Sequence, residues 1–107
     1  LCRKTDAVPD ALTAGRERVG VRVPDHDLAL ALLREVAPVT STSANVSGRE
    51  SARRPADLDP EIREAAAVVL DDGETGGTGS TVVNVASGEI LRRGSNADAV
   101  AAWLAEQ

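Results

Sequence analysis

Valines alternate with other residues along RVGVRVP, Arg18 to Pro24, and the alternation stops at a proline, a period of two that predicts a strand. Asp25 follows in the position of a helix N-cap. HDLALALLREVA then places Leu28, Leu32, Leu33 and Val36 at helical spacing before Pro38 ends the run. The next β-branched stretch, VTSTSA, predicts a short strand whose far end opens into the polar turn NVSG. Ser47 to Leu58 has no periodicity and reads as a loop. Pro60, just after a capping Asp59, starts a second helix, and VVLDDG reads as a short buried strand closed by a turn. The four glycines of GETGGTGS, Gly73 to Ser80, predict a flexible or tightly turned segment. STVVNVASGEILRRG reads as two strands joined at SG, a hairpin. Ser95 and Asp98 are spaced as a capping box, and Ala97, Val100, Ala101 and Leu104 recur on one face of a terminal helix. The order β-α-β-α-β-β-β-α predicts an α/β fold in which helices cover a mixed sheet.

Composition sharpens this picture. A chain of 107 residues fits one domain. Its 42% apolar fraction is carried by Ala, Val and Leu, with no Phe, Tyr or Met and with Trp103 as the sole aromatic, which makes for a light core. The chain begins with Leu1 rather than Met, so a piece of a longer protein is expected, with the remainder upstream. A formal net charge of -5 argues against a globally basic nucleic-acid surface, and any contact with RNA would have to be local. The single cysteine, Cys2, can form no internal disulfide and has no ligand partners for a zinc knuckle, which fits a reducing cytoplasm. No apolar run approaches the roughly 18 residues that span a bilayer, so no membrane association is expected.

Candidate chemistry gathers at strand exits, where open α/β sheets bind ligands. PVTSTSANVSG holds five hydroxyl side chains and an asparagine in a segment with almost no apolar surface. A solvated, self-capping loop accounts for such a cluster as cheaply as a ligand does. Arginines lie beside three such segments: Arg22 before Pro24, Arg53 and Arg54 after the Ser/Asn turn, and Arg92 and Arg93 after the last strand. A guanidinium matches carboxylate and phosphate with two parallel hydrogen bonds, so these loops read as anion-friendly, although each arginine alone reads as a solvated or capping residue. GGTGS could cradle a phosphate with backbone N–H groups but lacks the lysine and spacing of a P-loop. His26, the only histidine, has no nucleophile placed beside it by any motif and reads as a helix-start residue, while Asp71 and Asp72 read as a turn. With neither base nor nucleophile evident, chemistry that binds and orients charged substrates suits the inventory better than hydrolysis.

Taken in order, VGVRVPDH, TSTSANVSG, LDDG with its Gly-rich sequel, STVVNV and ILRRG resemble the C-terminal half of the threonylcarbamoyl-AMP synthase family, also called YrdC-like. The resemblance runs from about Pro9 to Gly94, and the S-A-N-x-S-G element is its most specific part. It implies a twisted mixed sheet flanked by helices, of which residues 1–107 form the C-terminal portion of a single domain whose N-terminal half is absent. The implied activity condenses ATP, L-threonine and bicarbonate into threonylcarbamoyl-AMP with release of pyrophosphate, for threonylcarbamoyladenosine modification of tRNA. Carried over residue by residue, the resemblance implies that Arg22, Ser43 and Ser80 bind threonine and that Asn45, Ser51 and Arg92 bind ATP, with Mg²⁺ as its companion ion and no catalytic side chain. It also implies contact with tRNA or double-stranded RNA and with tRNA-modification partner proteins. The family's N-terminal half brings a TYGL-like element and a Lys/Arg motif that this sequence does not contain, so the 107-residue chain by itself is expected to make no adenylate. Two other readings stay open: a YrdC-like module that binds RNA or a nucleotide without catalysis, and the YrdC-like domain of a hydrogenase-maturation carbamoyltransferase.

Overall fold

The computed structural model describes all 107 residues, Leu1–Gln107. Its elements run β1 (Cys2–Arg3), β2 (Arg18–Val19), α1 (Asp27–Val36), α2 (Pro60–Ala65), β3 (Val82–Asn84), β4 (Glu89–Arg92) and α3 (Ala97–Ala105), with single 3-10 turns at Asp10–Leu12 and Pro55–Asp57. Helices and strands are mixed, as expected of an α/β chain. The strands form two separate antiparallel ribbons, β1 with β2 and β3 with β4. The backbone divides into two compact units, the first made of Leu1–Val23 and Thr78–Gln107 and the second of Pro24–Gly77.

In the first unit the predicted hairpin is present. Val83 pairs with Ile90 and Asn84 with Glu89, and a bulge separates this register from the Val82–Arg92 pair. Asn84 closes the turn twice: its backbone oxygen accepts from the Gly88 N–H at 2.9 Å and its Oδ1 from the Ala86 N–H at 3.2 Å. Gly88 sits at φ 70°, which a residue with a Cβ adopts only at a cost. Leu1 extends the pairing, because its ammonium donates to the Val83 carbonyl and its own carbonyl accepts from Val85 at 3.2 Å. Only Arg18–Val19 of the predicted 18–24 strand is paired, since β1 offers two residues; Val21 and Val23 lie beyond the paired residues and are exposed. Strand β1 itself carried no periodic signal.

Helix α3 turns inward the face its spacing predicts, with Ala97, Val100, Ala101 and Leu104 half-buried and Trp103 outside. Its entry differs from the predicted capping box. The cap residue is Asn96 at φ 57°, without a side-chain cap bond. Ser95 Oγ instead donates to the Thr78 and Gly79 carbonyls, each at 3.4 Å, and Asp98 is paired with Arg93. A competing backbone acceptor and a nearby guanidinium thus take the two side chains that a free helix would use for itself.

In the second unit α1 is capped by His26 rather than Asp25, with His26 Nδ1 accepting from the Ala29 N–H at 3.4 Å. Leu28 and Leu33 are half-buried together with Ala29 and Leu30, whereas Leu32 and Val36, assigned inward by the spacing, lie outside. Neither VTSTSA nor VVLDDG forms a strand. A strand exists only when a neighbouring backbone takes up its N–H and C=O groups, and within this unit no such neighbour adjoins either stretch. Val68, Val69 and Leu70 consequently remain exposed. Helix α2 begins at Pro60 as predicted, but Asp59 does not cap it.

The light composition is visible in the packing. No apolar residue is buried, and the one buried residue of the chain is Thr13, at 8% exposure. Local hydrogen bonds and half-buried patches therefore carry the fold, since apolar burial contributes only about 25 cal/mol for each Å² removed from water.

Candidate functional site

The residues singled out by sequence fall into two groups, one in each compact unit. Arg22, Ser80 and Arg92 belong to the first; Ser43, Asn45 and Ser51 belong to the second.

In the first unit β4 delivers Arg92 onto the start of β3. Arg92 Nε and Nη2 both donate to the Ser80 carbonyl, at 3.1 and 2.9 Å, so two of the predicted residues are in direct contact. A lone parallel bridge joins Ser80 to Ser95 and holds the segment in place. Thr81, which sequence reasoning passed over, is the hub of this junction. Its Oγ1 donates to the Ser95 carbonyl at 2.7 Å and accepts from the Gly94 N–H at 3.0 Å. Gly94 explains why the two strands can approach so closely, because a Cβ there would stand 2.1 Å from the Gly79 oxygen and 2.6 Å from the Ser80 carbonyl carbon. Its signal in the sequence was its place directly after ILRR, a glycine where a strand ends.

In the second unit the Ser/Asn turn is held from within. Asn45 Nδ2 donates to the carbonyls of Val46 and Arg49, both at 3.2 Å, and Asn45 Oδ1 accepts from Ser51 Oγ at 3.4 Å. Asp59 anchors the same loop by accepting from the Val46 N–H at 3.3 Å and from Arg49 Nη1. That employment is why it does not cap α2. Ser43 is exposed and makes no side-chain hydrogen bond, so its hydroxyl is available.

The Gly-rich segment is used differently from the phosphate cradle that its composition allowed. Arg53 and Thr75 exchange backbone and side-chain bonds: the Arg53 carbonyl accepts from the Thr75 N–H at 2.8 Å and from Thr75 Oγ1 at 3.2 Å, while Arg53 Nε donates to the Thr75 carbonyl at 3.1 Å. Glu74 adds an ion pair with Arg53 at 3.0 Å. Gly77, at φ 75°, lets the loop pass against the Arg53 stem, where a Cβ would meet Cδ and Nε at 2.9 Å. A cavity of about 210 Å³ lies beside this contact, lined by His26, Leu28, Arg53, Arg54, Leu58 and Leu70 among others. Asp71 Oδ1 accepts from the Gly73 N–H at 2.9 Å, the turn role expected of it, and Asp72 faces His26 Nε2 at 3.7 Å.

Electrostatics separates the five arginines marked by sequence. Arg53 is neutralised by Glu74, Arg54 by Asp57 in a two-pronged pair, and Arg93 by Asp98. The Asp57 hydrogen bonds, and then its charge, hold the Arg54 guanidinium still more firmly protonated than usual. Arg22 and Arg92 have no acidic partner within ion-pair distance. An exposed arginine left unneutralised costs the fold little and remains able to grip an anion. No three metal-ligating side chains come together, so the chain supplies no metal cage of its own. No helix is long and apolar enough to cross a membrane.

Comparison with known proteins agrees with these motifs. The Sua5/YciO/YrdC family model, described as "Telomere recombination", matches residues 1–94. A threonylcarbamoyl-AMP synthase of Bacillus subtilis (strain 168) is 42% identical over 85 residues, which are 78% of this chain and 25% of that protein. Proteins of the same name from Idiomarina loihiensis and Xylella fastidiosa (strain M12) are 33% and 39% identical over 87 residues, covering 79% and 78% of this chain and 47% and 46% of theirs. The chain thus spans from a quarter to about half the length of these relatives. No solved structure gives a significant match.

Proposed function

This chain belongs to the Sua5/YciO/YrdC family, and on that premise we propose that it forms part of an enzyme that makes threonylcarbamoyl-AMP from ATP, L-threonine and bicarbonate. The reading is supported by the ordered motifs and by the names of the relatives. The observation that carries it is electrostatic: of the five marked arginines, the two without an acidic partner are Arg22 and Arg92, the pair to which the motifs assign anionic ligands.

In this proposal Arg22 takes the carboxylate of threonine, with the Ser80 hydroxyl of the same unit on that substrate. Arg92, oriented by its two bonds to the Ser80 carbonyl, serves the ATP phosphates. Asn45 and Ser51 serve the ATP side, and their mutual hydrogen bond keeps the 45–51 loop closed. The threonine nitrogen attacks the bicarbonate carbon, water leaves, and an oxygen of the resulting carbamate attacks the α-phosphorus while pyrophosphate departs with the bonding electrons. No side chain acts as nucleophile; the protein's contribution is orientation and compensation of the charge that builds on phosphorus. Mg²⁺ accompanies ATP in phosphate chemistry, and no three metal-ligating side chains of this chain come together to hold it. The proposal places residues 1–107 in the C-terminal portion of a single domain built on a twisted mixed sheet, working in the cytoplasm, with its product passed on for tRNA modification.

Calorimetric titration of ATP into the 107-residue chain, with and without L-threonine, tests the reading. Saturable ATP binding that strengthens with threonine is expected. Arg92→Ala should weaken it roughly 10- to 100-fold, the effect of losing one charge-assisted hydrogen-bonding group. ATP binding indifferent to threonine, or salt-sensitive binding of an anticodon stem-loop in its place, refutes it in favour of a module without catalysis.

A further inference from the structure

His26, the one histidine of the chain, takes no part in the proposed reaction, yet both of its ring nitrogens face a neighbour. Nδ1 accepts from the Ala29 N–H at 3.4 Å and so caps α1, while Nε2 stands 3.7 Å from Asp72 Oδ2. All three residues belong to the second unit. An imidazole nitrogen that accepts a hydrogen bond carries no proton, so the cap requires the neutral ring with its hydrogen on Nε2.

Protonation decides which of the two neighbours the ring can keep. A hydrogen added to Nδ1 meets the Ala29 N–H donor to donor, and the added charge stands at the positive end of the α1 dipole. Both effects expel the ring from the cap. Asp72 draws it the other way: its carboxylate lies just beyond hydrogen-bond reach and has no other cationic partner. The remaining charges nearby are already engaged or are not bonded to the ring. Arg53 and Arg54 line the same 210 Å³ cavity as His26 and Asp72, but Glu74 neutralises the first and Asp57 the second. Asp71 accepts from the Gly73 N–H at 2.9 Å, and Asp25 and Asp27, which flank His26 in sequence, form no ion pair. With no free imidazole nitrogen and no unpaired arginine on its wall, the cavity offers neither a general base nor an anion site.

From this we infer that His26 is a proton-operated latch: neutral, it caps α1; protonated, it releases the Ala29 N–H and closes onto Asp72, tying the start of α1 to the 71–73 turn. The wall of the cavity that the two side chains share is drawn together in the second state. The inference does not rest on the proposed synthase activity, since none of its residues is assigned to threonine or ATP above.

Nitrogen-15 NMR of the imidazole, with amide exchange and amide shifts in the 107-residue chain, tests it. At pH above the titration of the ring, the shifts of its two nitrogens should report the Nε2–H tautomer. As pH falls through that titration, the Ala29 amide should lose protection about fivefold beyond its intrinsic pH dependence, the effect of losing one side-chain cap. The Gly73 amide shift should move with the same midpoint. Asp72→Asn should leave the Ala29 response in place and remove that of Gly73, whereas His26→Asn, which caps a helix without titrating, should remove both. A neutral ring protonated on Nδ1, an Ala29 amide indifferent to the titration, a Gly73 response that survives D72N, or either response persisting in H26N overturns the inference.

Discussion

Gly94→Ala is the most demanding check of how the Arg92–Ser80 junction is built. Gly94 does not occupy the left-handed region, so conformational strain is not at issue. The obstacle is steric. A Cβ would lie 2.1 Å from the Gly79 oxygen, 2.6 Å from the Ser80 carbonyl carbon and 2.8 Å from the Ser80 oxygen, all backbone atoms that cannot rotate away. The two segments would have to separate, breaking three bonds: Ser95 N–H to Gly79 O at 2.9 Å, Gly94 N–H to Thr81 Oγ1 at 3.0 Å and Thr81 Oγ1 to Ser95 O at 2.7 Å. At about 1 kcal/mol net for each, the loss is about 3 kcal/mol, partly offset by about 0.5 kcal/mol from the stiffer unfolded chain. Gly76→Ala is the matched control, since that glycine has open space around its Cβ position and no positive φ. Native-state hydrogen exchange reads the outcome locally. The Ser95 amide should exchange on the order of 100-fold faster in G94A and no faster in G76A. If the two variants protect Ser95 equally, the close approach of residues 79–80 to Gly94 is not what holds Arg92 over Ser80, and the account of the site fails with it.

Other expectations follow from the same geometry. His26→Ala should weaken α1 by about 1 kcal/mol, seen as faster exchange of the Ala29 amide, whereas Asp25→Ala should not; the reverse result would return the cap to Asp25. The Lys4 ammonium, through its hydrogen bond and then its charge, holds the Asp10 carboxyl below the ordinary carboxylate range. A lowered folded value means the pair stabilises the turn above the unfolded carboxyl pKa and ceases to do so as pH falls through the lowered one. Carboxyl-carbon NMR titration should therefore find Asp10 low in the chain and back in the ordinary range in Lys4→Gln. With Val21, Val23, Val68 and Leu70 all exposed and no apolar residue buried, the isolated chain should bind a hydrophobic dye and melt over a broad range. A sharp, cooperative transition without dye binding would contradict the packing described above.

Much of the local structure was legible because its causes are local. A helix needs only its own backbone, so the spacing that marked α1 and α3 found both, and for α3 also the correct inner face, Ala97, Val100, Ala101 and Leu104. The β3–β4 hairpin was equally readable, since its partner strand lies a four-residue turn away and Gly88 supplies the conformation that turn requires. That Arg22 and Arg92 are candidates for gripping an anion was also legible, because guanidinium chemistry is written in the residue itself. Caps were misread where side chains had offers from outside their helix: Asp59 is drawn to Val46 and Arg49, Asp98 to Arg93, and Ser95 to residues 78–79.

Segment chemistry and helical periodicity were thus determined by the amino-acid sequence alone. Which arginines remain unneutralised was decided only by tertiary structure, as was the fate of VTSTSA and VVLDDG, because both depend on what stands nearby in space. A strand without a neighbouring backbone has nowhere to place its hydrogen bonds, and a charge keeps its reach only where the fold brings no opposite charge to it. Such facts arise between residues far apart along the chain, so no window of sequence contains them.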